Sequence, residues 1–279
     1  MELLVRHIPN DYSYKKEYLD KNSNHIQVLF LGNSHIFYGI DPQYLSYLSF
    51  NAGYISQSLD LDLEILKKYD HHWHELKYVI IPIDYFSLYE RIDTGVEVWR
   101  LKNYALYYDI PTSNSFHSNF EIYNPIENVK KIKYYYIYGN TAITSAENGW
   151  GKAYNSSKNQ DLETTGKDAS ERHTFKDNHV SENIQILNKM IDFCAERNIR
   201  VIMLTAPAYK TYSQNLDPMQ LNTTLNAIHN SIASHSNASY INLLQDTSFI
   251  KEDFYDADHL NEIGAKKLTL KVNELLKKQ

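Results

Sequence analysis

An α/β fold built around a central, mostly parallel sheet is predicted by three apolar runs and by what separates them. "HIQVLFLG" (25–32), "KYVIIPIDYFSL" (77–88) and "NIRVIMLTAPAY" (198–209) are short and almost continuously apolar, as strands buried on both faces are. Helical periodicity lies between such runs, and parallel neighbours need crossovers of that kind. The 279 residues are read as one three-layer α/β domain, 1–279, with an insertion at about 94–179.

The remaining elements follow in chain order. "YLSFNAG" (47–53) is a second short strand closed by a glycine. "SLDLDLEILKKYD" alternates like a strand, yet Leu59, Leu63 and Leu66 share a helical face and the next strand is close, so a helix is predicted. A helix from Ser181 to Arg197 precedes the strand at 198, with Ser181 as its cap and Glu182 in its first turn. A helix from Pro218 to Ser234 leads to the short strand "SYINLL", and a last helix spans Asn261 to Lys278. Residues from Thr94 to His179 break the alternation. They hold Trp99, Trp150, many tyrosines and the polar run "NSSKNQDLETTGKDASERH", and "IENVKKIKYYYIYG" is a candidate helix. A long excursion of this kind has the character of a lid or a substrate-binding subdomain.

Composition excludes several classes of function. A net charge of −6 argues against a nucleic-acid binder that works by neutralising phosphates. Cys194 is the only cysteine, so neither an intramolecular disulfide nor a cysteine-rich zinc site is available; with Ile184, Leu187 and Ile191 it fits a helical core face. No apolar run has the length of a membrane span, and "MELLVRHIPNDYSYKK" lacks the apolar centre of a signal peptide. As written the chain reads as soluble and cytoplasmic; were an N-terminal anchor missing, it would be extracytoplasmic and membrane-bound. Glycine-rich phosphate loops are absent, and the histidines of "HHWH" (71–74) have no fixed helical spacing, so no cofactor and no metal is expected. Oligomeric state leaves no signature.

Ser34, Gly53, Asp84 and Pro207 all fall at or just after strand ends, where ligands sit in open parallel sheets. Alone, Ser34 in "FLGNSHIFYG" fits a small polar turn as well as a nucleophile. The other end of the chain, "FYDADHLNEIGAKKL", sets Asp256 and His259 three residues apart. A neutral imidazole can take a serine proton, and a carboxylate on its second nitrogen fixes the tautomer. Asp258 is the less suitable acid, because adjacency to His259 makes the side-chain geometry harder.

Together, "LGNSH" after the first strand and "DADHLNEIGA" near the C-terminus resemble the SGNH, or GDSL-type, hydrolase superfamily. The resemblance spans residues 25 to 270 apart from the insertion, and implies a flavodoxin-like three-layer fold with Ser34, His259 and Asp256 as catalytic triad. "FNAGYISQS" resembles the block whose glycine amide serves the oxyanion hole, pointing to Gly53 beside the Ser34 amide. The third block departs from the family: "PIDY" puts Asp84 where an oxyanion-donating Asn is usual. An ionised carboxylate would repel the oxyanion, so Asp84 could serve only if protonated, or it could bind substrate hydroxyls or cap the next turn. His35 is a local hydrogen-bonding residue, one that supports a site residue from behind, or a substrate-side residue, and Trp99 and Trp150 are packing residues or sugar-stacking ones.

Within the superfamily, "GNSH…YGIDP" and "DADHLN..GA" resemble bacterial proteins linked to cell-surface polysaccharides. The implied function is a serine esterase removing O-acyl, chiefly O-acetyl, groups from carbohydrate. The alternatives are a polysaccharide O-acetyltransferase with the same triad and a non-catalytic carbohydrate-binding descendant. The implied partner is an acetylated carbohydrate or another small ester.

Overall fold

The computed structural model describes residues 1–112, 121, 125–175 and 179–278. Strands β1 (Val28–Phe30), β2 (Ser49–Asn51), β3 (Tyr78–Pro82), β4 (Arg200–Thr205) and β5 (Ala238–Asn242) form one sheet in the order β2-β1-β3-β4-β5, with every pairing parallel. The strands are shorter than their apolar runs because pairing stops where the chain turns toward the site. "SYINLL" likewise pairs only as far as Asn242.

Side-chain alternation along these strands creates the three layers. Leu29, Val79, Ile81, Val201 and Met203 face one way, into a core with Leu63 and Leu66 of α4 (Leu59–Lys68) and Leu187, Ile191 and Cys194 of α8 (Val180–Ala195). Val28, Phe30, Ile80, Ile202 and Leu204 face the other way. There they meet Ile36 of α3 (Ser34–Gly39) and Leu268, Val272 and Leu276 of α11 (Glu262–Leu276). Two apolar faces are why the strands read as unbroken runs rather than alternating ones.

The helix at 59–68 forms as the leucine spacing predicts, and α10 occupies Pro218–Ser234 with Asp217 as its cap. One boundary is corrected. Ser181 does not cap α8, which begins at Val180 after His179, and Ser181 lies inside its first turn. Two further helices precede β1: α1 (Glu2–Arg6) and α2 (Asp11–Asn22), the latter opened by a capping box from Asn10 and Ser13.

Within 94–179 the chain forms α5 (Leu101–Tyr107), α6 (Pro125–Tyr136) and α7 (Leu162–Arg172). The helix expected in "IENVKKIKYYYIYG" is α6. Part of the region is stitched to the sheet. Asn51 N–H donates to Asn148 O (2.9 Å) and Gly151 N–H to Phe37 O (2.8 Å), while α7 packs on α9 (Lys210–Ser213). Among the described residues no helix is long and apolar enough to cross a membrane.

Candidate active site

β1 ends at Phe30, and Gly32 turns the chain at φ +103°, a left-handed conformation that suits glycine. A Cβ there would lie 2.0 Å from Pro82 Cγ, so the Ser34 turn can approach β3 only without a side chain. Gly32 N–H donates to the buried Asp62 carboxylate (2.8 Å), which pins the turn from the α4 side. Burial pushes the Asp62 carboxyl up to about 8. Asn33 then caps α3 by accepting from His35 N–H (2.9 Å), placing Ser34 at the first helical position. The Ser34 amide therefore has no acceptor within its own helix, and stands at the positive end of the peptide dipoles.

The sheet's far edge delivers the other partners. Phe254 and Leu260 pair across a narrow loop, and Tyr255 N–H donates to His259 O (2.9 Å). Within that loop Asp256 Oδ1 accepts from the His259 amide (2.8 Å) and the Asp258 amide (3.2 Å), so one carboxylate organises its own turn. The structure brings the three sequence candidates together. His259 Nε2 lies 2.8 Å from Ser34 Oγ, and His259 Nδ1 lies 2.9 Å from Asp256 Oδ1. Asp258 Oδ2 is also near His259 Nδ1, at 3.5 Å. Burial works to lower the His259 imidazole, but Asp256 and Asp258 outweigh it and hold its pKa well above the usual histidine range.

Asp84 and His35 require correction. Asp84 is buried and accepts from Asn33 Nδ2 (3.0 Å) and weakly from Ala206 N–H (3.3 Å). Its Oδ2 also lies 3.0 Å from His35 Nδ1. Burial alone would raise its carboxyl; the His35 cation and these donors hold it below the usual range. An ionised Asp84 cannot be an oxyanion donor, and its oxygens are spent inside the protein rather than on substrate hydroxyls. His35 is likewise no substrate-side residue: it is buried, with Nε2 3.6 Å from Asp258 Oδ2. Burial would lower His35, yet Asp84 and Asp258 raise it to about 9.

Gly53 departs from expectation in a different way. Its amide donates to Asn51 Oδ1 (3.1 Å), so that N–H is already engaged, and its carbonyl accepts from the buried Lys15 ammonium. Lys15 lies over the Phe37 ring, 4.4 Å from its centroid, and burial lowers its pKa to about 7 against partial support from Asp11.

The tryptophans separate. Trp150 Nε1 donates to Tyr38 O (2.7 Å), and the Tyr38 ring begins a stack that continues through Tyr154 (3.8 Å between centroids) to Tyr255 (3.9 Å). Tyr154 meets His259 edge-on at 5.3 Å. Trp99 is exposed and lines a cavity of about 190 Å³ with Tyr12, Tyr54 and Arg100, a cavity that neither Ser34 nor His259 lines. The "HHWH" histidines are exposed around a buried Trp73. Sequence reasoning missed Lys15, the tyrosine stack and His173; only the i, i+3, i+7 spacing of Tyr12, Lys15 and Leu19 hinted at the first.

Among the described residues, His35, Asp258 and His259 each place one ligating atom within 4.8 Å of the others. A metal fits this set poorly. Both nitrogens of each ring already face protein atoms, Asp84 and Asp258 for His35, Ser34 and Asp256 for His259, so a cation would have to displace protons from a buried cluster.

Neither a protein-family model nor a curated protein matches the chain. Solved structures similar to it include a Streptococcus pneumonia protein provisionally described as a platelet activating factor, 13% identical over 95% of this chain and 91% of that one, with a TM-score of 0.49. Others are a Bacteroides fragilis protein provisionally described as an acylhydrolase (11%, 97% and 99%, TM-score 0.47) and a GDSL-like lipase from Bacteroides thetaiotaomicron (11%, 96% and 98%, TM-score 0.46). An all-parallel five-stranded sheet between two helical layers, with a serine turn after β1 and an Asp-x-x-His loop after β5, makes this a three-layer α/β fold.

Proposed function

We propose that the protein is a serine-dependent ester hydrolase of the SGNH/GDSL type, acting on O-acyl and chiefly O-acetyl groups of carbohydrate. The continuous relay from Ser34 Oγ through His259 to Asp256 carries this reading. His259 takes the Ser34 proton at Nε2 as Oγ attacks the ester carbonyl, and Asp256 holds the other nitrogen in its protonated tautomer. The tetrahedral oxyanion is met by the Ser34 amide at the start of α3. His259 returns the proton to the departing alcohol, then activates water to release the acyl group. The tyrosine stack beside His259, and the likeness of "GNSH" and "DADHLN" to polysaccharide-linked proteins, support a sugar as the alcohol. The 94–179 segment, which supplies Trp150 and Tyr154, then forms one wall for that sugar.

A panel of aryl acetates and acetylated sugars, run with and without a glycan acceptor, tests the substrate and separates hydrolysis from transfer. Ser34→Ala is expected to abolish both aryl acetate turnover and covalent labelling by a fluorophosphonate. Labelling that persists in that variant would remove Ser34 from the role of nucleophile.

A further inference from the structure

We propose that Asp258, clamped between His35 and His259, is a second positioning carboxylate for His259, with the Asp84–His35 ion pair as its own anchor; this rests on His259 being the base of the proposed esterase. Asp258 is 2% exposed, and neither of its oxygens has a hydrogen-bond partner among the described residues. An isolated carboxylate is costly at such depth unless cations surround it. What surrounds it is histidine: His259 Nδ1 at 3.5 Å, His35 Nε2 at 3.6 Å and His173 Nδ1 at 4.0 Å.

The three rings are not equivalent. His173 bonds Tyr212 OH through Nδ1 (2.8 Å), and burial lowers its pKa to about 3, so it is a neutral neighbour. His35 is held between two acids, Asp84 and Asp258, and together with His259 keeps Asp258 ionised. His259 Nδ1 thus faces two carboxylates, Asp256 at hydrogen-bond distance and Asp258 behind it. The Asp84 departure from the family pattern belongs to this device. His35 after the serine and Asp84 in place of Asn form a pair, 49 residues apart in sequence, whose charge terminates on the base loop.

The other titratable groups acting on the cluster include Asp256, Glu90, Arg172, Tyr154, Tyr212 and Tyr240. Burial pushes Glu90 up to about 7, so it is only partly ionised at neutral pH. Asp258 therefore supplies a full negative charge to His259 that a single-acid triad lacks. It favours the protonated imidazole, and delays the appearance of the free base to higher pH.

The test pairs the pH dependence of aryl acetate kcat/KM with histidine-resolved ¹⁵N NMR, in wild type and Asp258→Asn. The variant is expected to move the acid limb of the profile down by about one pH unit, the shift typical of losing one nearby opposite charge. Plateau kcat should fall about tenfold as orientation loosens. A limb that stays in place overturns the proposal, because a merely structural loss lowers the plateau without moving it. If Asp258→Asn does not fold, the wild-type spectrum decides: both His35 nitrogens protonated at pH 7 supports the clamp, and a neutral His35 overturns it. Fluorophosphonate labelling of the wild type tests the esterase reading separately, and the His35 spectrum remains decisive for the clamp if labelling is absent.

Discussion

The two flanks of Ser34 are provisioned unequally. On the His259 flank, carboxylates are in excess: Asp256 and Asp258 both face one imidazole nitrogen, and Asp84 steadies the cation that steadies Asp258. On the Gly53 flank, backbone donors are consumed internally, with the Gly53 amide given to Asn51 and its carbonyl held by one buried ammonium, Lys15. Under the proposed mechanism, the contrast teaches that the base would be overdetermined while oxyanion stabilisation would be lean, resting on the Ser34 amide. The flanks also titrate in opposite senses. His35 is raised to about 9 and Lys15 lowered to about 7.

The largest effect should come from stripping the acid-rich flank. Where one carboxylate orients the histidine, Asp→Asn costs about 10⁴-fold in kcat. Asp256→Asn alone is expected to cost about 10²-fold, because Asp258 still faces Nδ1, and Asp256→Asn with Asp258→Asn should reach about 10⁴-fold. Steady-state kinetics on an aryl acetate measures both. A single variant as impaired as the double would show that Asp258 lends no orientation.

The lean flank was also the illegible one, for physical reasons. The approach of Ser34 to His259 was legible because both lie in short motifs at strand ends. The strand cores of β1, β3 and β4 were legible because burial on both faces demands unbroken apolar runs. Lys15 was not, since its partner is 38 residues away and α2 buries Tyr12 and Lys15 where an apolar stripe would be sought. Asp84 misled for a related reason. A residue type read against a motif says nothing of a partner 49 positions upstream, and only His35 explains the acid. The engaged Gly53 amide did have a local sign, because an Asn two residues earlier commonly turns back on the chain.

Lys15→Met tests the lean flank, with a smaller effect. The Gly53 carbonyl loses its donor, and kcat should fall about tenfold with KM little changed. Stability moves the other way at low pH. Lys15 binds its proton less readily folded than unfolded, so its burial penalty is complete below about pH 7 and fades as pH rises toward the unfolded value. His35 behaves oppositely: its contribution is complete below the ordinary histidine range and is lost as pH climbs through about 9. Melting curves across pH 6 to ~9.5 should therefore show Lys15→Met most stabilised relative to wild type at the acid end. A Tm difference that is constant with pH would mean Lys15 is not a strained cation.

The smallest effect is expected where the 94–179 segment meets the site. Trp150 Nε1 donates to Tyr38 O, and Tyr38 stacks on Tyr154 beside His259. Trp150→Phe keeps an aromatic ring but removes that donor, a loss of about 1 kcal/mol. The base and its two acids are untouched, so kcat on a small aryl acetate should stay within about twofold. If the stack forms the sugar-side wall, KM for an acetylated sugar should rise about threefold to fivefold, since substrate and transition state lose the same contact. Equal changes for aryl and sugar esters would place the effect in the catalytic loop instead, extending the acid-rich flank as far as Trp150.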